Sequence, residues 1–279
     1  MPQFTPPGLG WQRDLPDLRD YSPDHERARP LLAALGRRRP LPGAVSWDEY
    51  FPPVNCQRGL ASCAAHAGAA LVAYFERRAF GKSVEGSPLF LYQMARLLGR
   101  GSGDCGGGLR QTWKALVRFG LPPEEYWPYQ AERLEEAPSP FLFSFAAEYR
   151  PLLYVRLDRG PGRSAPTLAC VKSFLAAGFP AAFGFTVFDS LSREAPIPFP
   201  TCYDAARGGQ AAVALGYDDG VRVRSERGAL RVRCSWGADW GEEGHGWLPY
   251  RYVEEQLAVD FWTLLRPDWL GSEELKQPL

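Results

Sequence analysis

Apolar residues recur at helical spacing in the first half of the chain. They predict a long helix that begins at Cys63, follows the N-cap residue Ser62 and ends before Gly81. The same periodicity predicts two further helices, over residues 89–98 and 109–119, each followed by a glycine. This part of the chain is therefore predicted to form a helical lobe.

The second half of the chain is richer in β-branched and alternating residues. The predicted strands are residues 149–157, 181–188, 211–217, 221–224, 230–235, 246–250 and 259–265, with a helix over 167–177. In one of them, Leu230, Val232 and Cys234 share a face, so Cys234 is expected on an apolar or cleft-facing side. The predicted fold class is α+β, a helical lobe packed against an antiparallel, barrel-like sheet with a cleft between them.

The first 40 residues are rich in Pro, Arg and Asp and show little periodicity. They predict an extension with a short helix over residues 27–35, packed on the domain as a strap through Trp11, Leu15, Leu18 and Tyr21. The predicted main domain is 41–270. The helical lobe takes about 56–148, the β lobe takes about 41–55 and 149–270, and 271–279 form a tail.

Composition limits the classes of partner. Lysine and arginine number 32 and so do aspartate and glutamate, so the formal net charge of zero favours neither nucleic acid nor an anionic membrane. No apolar run has the length of a signal-peptide core or a membrane span, and we expect a cytoplasmic protein. The six cysteines and three histidines lack the spacing of a zinc site or a disulfide framework, so neither metal nor cofactor is expected.

The start of the long helix carries candidate chemistry. Cys63 lies in its first turn, where unpaired N–H groups and the helix dipole favour a thiolate over a thiol. Gln57, six residues upstream, can donate a side-chain hydrogen bond to an oxyanion that forms near the sulfur. The pair predicts a site with a cysteine nucleophile.

These residues, and several blocks that follow in order, resemble the papain family of cysteine peptidases. Gly208-Gly209-Gln210-Ala211 stands where the family has Gly-Gly-His-Ala, and Cys234-Ser235-Trp236-Gly237 stands where it has Asn-Ser-Trp-Gly. Trp240-Gly241 matches the following block of the family. The opening of the chain, WQRDLPDLRDY, resembles that of bacterial members which lack the family's helical inhibitory pro-segment.

The resemblance implies roles for individual residues. Cys63 takes the nucleophile position and Gln57 that of the oxyanion donor, whereas Gln210 takes the position of the catalytic histidine and Cys234 that of the asparagine which orients it. Substrate-binding positions are implied as follows: Gly107, Gly108, Gly209 and Trp236. Gly107 and Gly108 are equally consistent with a flexible loop. Cys63 is also consistent with a small buried residue inherited from an active ancestor, and Cys234 with any small residue at a position that has no histidine to orient.

Two function hypotheses follow from the substitutions. Glutamine cannot gain or lose a proton near neutral pH, so peptide cleavage is expected to be severely impaired. The first hypothesis is a pseudo-peptidase that binds a peptide or protein segment in its cleft. The second is an active cysteine-dependent hydrolase or acyl transferase that uses Cys63 with a non-standard base, for which His66 is the candidate.

The cysteines leave two disulfide questions open. The resemblance places Cys105 at one half of a family disulfide, but the usual partner position is Leu60. Cys56 could serve as a substitute partner, and two free thiols are the other interpretation. A Cys63–Cys234 bridge is disfavoured, because in the family the histidine lies between those two positions.

Overall fold

The computed structural model describes residues 4–33, 40–146, 152–158 and 164–272. Its helices are α1 Arg29–Ala33, α2 Cys63–Phe80, α3 Pro88–Gly99, α4 Leu109–Phe119, α5 Pro140–Phe145, α6 Ser164–Ala176, α7 Tyr250–Glu254 and α8 Pro267–Leu270. Its strands are β1 Ala44–Ser46, β2 Leu153–Arg156, β3 Ala181–Phe188, β4 Ala206–Val223, β5 Glu226–Arg233, β6 His245–Pro249 and β7 Ala258–Leu265.

The strands form one antiparallel sheet. Its order is β2-β7-β3-β4-β5-β6, and β1 pairs with β4 outside this path. The predicted strands 211–217 and 221–224 are one strand, β4, because the intervening Asp218-Asp219-Gly220 continues the ladder with a shift of register instead of turning. The chain turns later, at Arg224, whose φ of 53° is left-handed.

Helix α2 lies between the two lobes. It contacts α3 and α4 on one side and β3, β4 and β7 on the other. All but three of its residues are buried, since the alanine-rich segment from Cys63 to Ala73 is apolar on every side. Gly81 ends the helix in the left-handed conformation, as predicted. The first residue of α2 is therefore held at the junction of both lobes.

The N-terminal segment crosses both lobes in an extended conformation. Trp11 forms a bridge with Gly107, and Tyr21 forms one with Val155 of β2. The prediction of an apolar strap is only half right, because Leu15 is 79% and Leu18 107% exposed. The short helix predicted over 27–35 is α1, and residues 34–39 lie outside the described residues.

Buried charges anchor this segment to the domain. The Asp14 amide donates to the Asp260 carboxylate at 2.7 Å, and the Asp14 carboxylate accepts from the Arg110 amide at 2.8 Å. Arg156 donates to Asp260 at 2.5 Å and also pairs with Asp20. Each carboxylate is thus met by a cation or an amide donor, which is the condition for burying charge.

We predict that Asp260→Asn destabilises the fold by about 1–3 kcal/mol, because a carboxamide has one acceptor oxygen and cannot accept from both the Asp14 amide and the buried Arg156 guanidinium. Asparagine tolerates the left-handed conformation of Asp260, whose φ is 59°, so the change leaves the backbone undisturbed. Urea unfolding should show a lower midpoint at an unchanged slope.

Asp17→Ala is the matched control, since Asp17 pairs with the exposed Arg19. It should leave the midpoint almost unchanged. Equal midpoints for wild type and Asp260→Asn would show that the cluster does not stabilise the fold.

Candidate active site

Cys63 is the first residue of α2, as the sequence predicts. Ser62 precedes it but makes no side-chain cap to the helix. Its hydroxyl lies 2.6 Å from the Tyr129 hydroxyl, which itself donates to the Gln57 carbonyl oxygen at 2.8 Å. The serine therefore ties the helix start to the loop that carries Gln57.

The side chain of Gln57 is fully buried and its hydrogen bonds join three parts of the molecule. Its Nε2 donates to the carbonyl oxygens of Gly8 at 2.7 Å and Leu60 at 2.9 Å. Its Oε1 accepts from the Ser235 hydroxyl at 2.5 Å and from Gln210 Nε2 at 3.0 Å. The carbonyl oxygen of Gly8 thus accepts a hydrogen bond from Gln57 Nε2, the group that the sequence predicts to donate to an oxyanion.

Gln210 lies on β4, and its amide is committed to neighbours other than the thiol. Its Nε2 donates to Gln57 and, at 3.2 Å, to the Ser235 hydroxyl. Its Oε1 is buried and has no hydrogen-bond partner among the described residues. The next residue, Ala211, directs its backbone amide at the Cys63 sulfur. Cys63 and the Gln210 segment are therefore adjacent, as the sequence predicts.

Cys234 lies one residue beyond the end of β5, not on the strand as predicted. At that point the chain leaves the ladder, and its amide donates to the Gly244 carbonyl oxygen. The side chain is buried, in agreement with the prediction. No disulfide joins any of the six cysteines, so Cys56, Cys105, Cys63 and Cys234 are all unbridged.

The cleft beside Cys63 is occupied by the chain's own N-terminal segment. Gly107 donates its amide to the Gly10 carbonyl oxygen at 2.9 Å, and Gln12 donates its own to the Gly107 carbonyl oxygen at 3.2 Å. The Trp11 amide donates to the Gly209 carbonyl oxygen at 3.0 Å. Two of the predicted substrate-binding glycines therefore pair with a peptide backbone, whereas Gly108 is the N-cap residue of α4 and its carbonyl oxygen accepts from the Thr112 amide.

Glycines on both sides make this close approach possible. A Cβ at Gly8, whose φ is 58°, would lie 2.1 Å from the Leu60 carbonyl oxygen. The Trp11 ring fills a slot over Gly184 and Gly209, where added Cβ atoms would lie 1.8 and 2.6 Å from ring carbons. At the other end of the segment, the Phe4 ring meets Trp236 edge-on at 6.0 Å.

Sequence reasoning missed this placement, since it assigned the segment to a strap on the domain surface. The signal was the pattern of glycines in Gly8-Leu9-Gly10 ahead of an aromatic residue, facing glycines elsewhere. The sequence does not show that these glycines face one another, because Gly107 and Gly209 lie about 100 and 200 residues from Gly8.

The covered thiol differs from the activated one that the sequence predicts. Cys63 is 0% exposed, and burial raises the pKa of its thiol above the ordinary value. Hydrogen bonds to the sulfur from the amides of Ala211, Gly10 and Ala64 offset only part of this shift. The pKa of Cys234 is raised as well, by burial and by the neighbouring Cys63. With the segment in place, the effect of burial on the pKa of Cys63 outweighs the groups that favour a thiolate.

None of the three histidines hydrogen-bonds to Cys63. His66 Nδ1 lies 3.2 Å from the Ser62 carbonyl oxygen, and burial lowers the pKa of the ring to about 4. His245 lies near Asp48, and His25 stacks on Tyr21. In the described part of the chain no group of three or more His, Cys, Asp or Glu side chains is arranged to hold a metal ion. No helix there is long and apolar enough to cross a membrane.

Comparison with known proteins gives three informative relatives, although no family model matches the chain. Xylellain, a cysteine protease from Xylella fastidiosa, is 31% identical, and the match has a TM-score of 0.76 over 93% of this chain and 96% of xylellain. An uncharacterized peptidase C1-like protein of Acanthamoeba polyphaga mimivirus is 29% identical over 75% of this chain and 68% of its own length.

The third relative supports the fold alone. Digestive procathepsin L 3 of Tenebrio molitor larval midgut is 15% identical, with a TM-score of 0.61 over 91% of this chain and 82% of that chain. Together the structural matches confirm the predicted α+β, two-lobed architecture.

We predict that iodoacetamide at pH 7 labels Cys63 more slowly than the exposed Cys56 and Cys202, because the N-terminal segment covers the thiol. Trp11→Ala should raise the labelling rate of Cys63 at least about tenfold by weakening that cover. Mass spectrometry of peptides after timed labelling measures each rate.

Two variants sharpen this test. Gly184→Ala displaces the Trp11 ring from the domain side and should also expose the thiol, whereas Leu18→Ala changes an exposed residue of the same segment and should have no effect. Labelling of Cys63 that is equally slow in wild type and Trp11→Ala would contradict the assignment of the cover to this segment.

Proposed function

The chain belongs to the papain-like family of cysteine peptidases, and from this premise we propose that it is a catalytically impaired member that binds a peptide or protein segment in its cleft. Cys63 and Gln57 hold the nucleophile and oxyanion-donor positions, while Gln210 and Cys234 replace the catalytic histidine and asparagine. The ligand is held as an extended backbone and is not cut.

The hydrogen bonding of Gln210 carries this proposal. Its amide donates to Gln57 and Ser235, and an amide cannot take a proton from a thiol or return one to a leaving amine. No histidine hydrogen-bonds to Cys63 in its place. General acid–base catalysis contributes about 10²–10⁴ in rate, and members of a catalytic triad fail together.

The N-terminal segment supports the binding half of the proposal. Its backbone pairs with Gly107 and Gly209, which is recognition by main-chain hydrogen bonds with side-chain slots for specificity. An external ligand has to displace this internal one, so its apparent affinity is reduced by the fraction of molecules whose cleft is closed. Residues 4–14 are therefore a template for the ligand.

One observation favours the second candidate, a cysteine-dependent hydrolase or acyl transferase. The backbone amides of Ala211 and Ala64 offset part of the rise that burial causes in the pKa of Cys63, and both belong to the domain itself. With the cleft open they would stabilise a thiolate, which could attack an activated acyl group whose leaving group needs no proton.

We predict that the unmodified protein cleaves no peptide substrate, and that Gln210→His with Cys234→Asn in the Trp11→Ala background gains thiol-dependent peptidase activity. The imidazole would then have a thiol to deprotonate and an amide to orient it, in a cleft that the segment closes less tightly. Release of a fluorogenic peptide product measures the activity.

Trp11→Ala alone and the activated variant with Cys63→Ala are the controls, and both should be inactive. Cys63-dependent cleavage of peptides by the wild-type chain would overturn the pseudo-peptidase proposal and would favour the second candidate.

We predict that a labelled peptide of residues 4–14 binds the Trp11→Ala chain at least about tenfold more tightly than the wild-type chain, whose own segment competes. The same peptide with alanine at its tryptophan should lose most of this binding, because the ring fills the slot over Gly184 and Gly209. Fluorescence anisotropy measures affinity, and mass spectrometry shows whether the peptide stays intact.

Leu18→Ala should bind the peptide as weakly as wild type. Absence of binding to Trp11→Ala would contradict peptide recognition by the cleft, whereas binding followed by Cys63-dependent cleavage would contradict only the loss of catalysis.

A further inference from the structure

A buried cation without a counter-charge lies behind the candidate active site. The Arg233 side chain is 93% buried, and two of its N–H groups donate to the carbonyl oxygens of Pro52 and Pro53, each at 2.7 Å. No ion pair joins it to a carboxylate among the described residues; Glu85 and Asp48 act on it only at longer range. Burial consequently lowers the pKa of the guanidinium to about 10.

Other buried arginines of this protein have partners for their charge. Arg156 pairs with Asp158 and Asp260, and Arg231 pairs with Glu242. Arg78 has its guanidinium carbon 4.1 Å from the ring centroid of Trp47. The guanidinium carbon of Arg233 lies 5.7 Å from the Phe51 ring centroid, and it has no comparable partner in the part of the chain that the structure describes. Buried charges are normally paired, so a missing counter-charge calls for a physical explanation.

A cavity adjoins this arginine. Arg233 lines it together with small side chains of α2, among them Ala70 and Ala73, and the volume open to the centres of water molecules is about 40 Å³. That is room for about three waters, or for one small carboxylate group. Protein interiors are otherwise close-packed, so a cavity beside an unpaired cation is a site that solvent or a ligand fills.

A second polar group in the wall lacks a partner. His66 also lines the cavity and is 93% buried, and its Nε2 has no hydrogen-bond partner in the described part of the chain. Because Nδ1 lies against the Ser62 carbonyl oxygen, which can only accept, Nδ1 carries the proton and Nε2 is an acceptor. A water held beside a bound anion would supply the donor that Nε2 lacks.

We propose that this cavity binds the carboxylate group of a small acid or of a peptide C-terminus, with Arg233 as its counter-charge. A guanidinium matches the geometry of a carboxylate in a bidentate pair. The exposed Glu85 also lines the cavity, and its charge disfavours a dianion such as phosphate more than a monoanion. Cys63 does not line the cavity, whereas Cys234 and Ser235 of the candidate active site do, so the carboxylate site adjoins that site from behind and does not depend on peptide binding in the cleft.

The test is thermal unfolding of the full chain at pH 7 and constant ionic strength, with acetate, N-acetylglycine, phosphate or chloride. Acetate or N-acetylglycine should raise the melting temperature saturably, by about 2–4 °C at ten times the dissociation constant. A shift with acetate but not with N-acetylglycine would indicate a small acid as the ligand. A shift with N-acetylglycine at a lower concentration than acetate would indicate a peptide C-terminus. Phosphate and chloride should give less than half of that shift.

Variants show whether Arg233 and the cavity are responsible. Arg233→Met should abolish the carboxylate-dependent shift, and Arg227→Met, at an exposed position of β5, should retain it. If Arg233→Met fails to fold, Ala73→Leu fills the cavity while it leaves the arginine in place, and should also abolish the shift. Equal shifts in chloride and acetate, or a saturable acetate shift that survives either Arg233→Met or Ala73→Leu, would overturn the proposal.

Discussion

The side-chain amide of Gln57 is the interaction on which the site depends. In one buried position it donates to the N-terminal segment and to the loop before α2, and it accepts from two residues of the β lobe. An amide has two donor hydrogens and an acceptor oxygen, and here all are used. Removing the Gln57 side chain would leave its buried partners without a hydrogen bond, and each unsatisfied group costs about 1–3 kcal/mol. The network therefore holds the segment, the helix start and the sheet in one arrangement.

This arrangement gives the proposed replacement of a catalytic histidine by Gln210 a structural meaning. A histidine at this place would need a neighbouring thiol and an orienting group, whereas Gln210 shares its amide with Gln57 and Ser235. The polar centre of the cleft is thus organised around hydrogen bonds that need no proton transfer. Gln57 Nε2 also donates to the Gly8 carbonyl oxygen, so the amide that the sequence assigns to an oxyanion holds a peptide group.

Burial decides the state of the thiol. The helix N-terminus and nearby backbone amides favour a negative charge on Cys63, but its side chain is fully buried, and the loss of solvation is the larger effect. The segment is held at one end by Phe4 on Trp236 and at the other by Asp14 among buried charges. The reactivity of Cys63 therefore depends on the N-terminal segment that buries it as much as on the helix that carries it.

Local patterns in the sequence were sufficient for the helices of the first lobe. Leu109–Phe119 has its predicted bounds, since periodicity and a terminal glycine act within one element. The motif blocks also brought Cys63, Gln57 and the Gln210 segment together, because matched order along the chain encodes a shared fold.

Tertiary structure alone decided the contacts between distant residues. The Gly8 carbonyl oxygen meets Gln57, and the Trp11 ring fills a slot that Gly184 and Gly209 leave open. That no carboxylate of the described residues pairs with Arg233 likewise becomes visible only when the lobes are assembled. Solvation and charge at a buried atom depend on everything packed around it, and no local pattern carries that information.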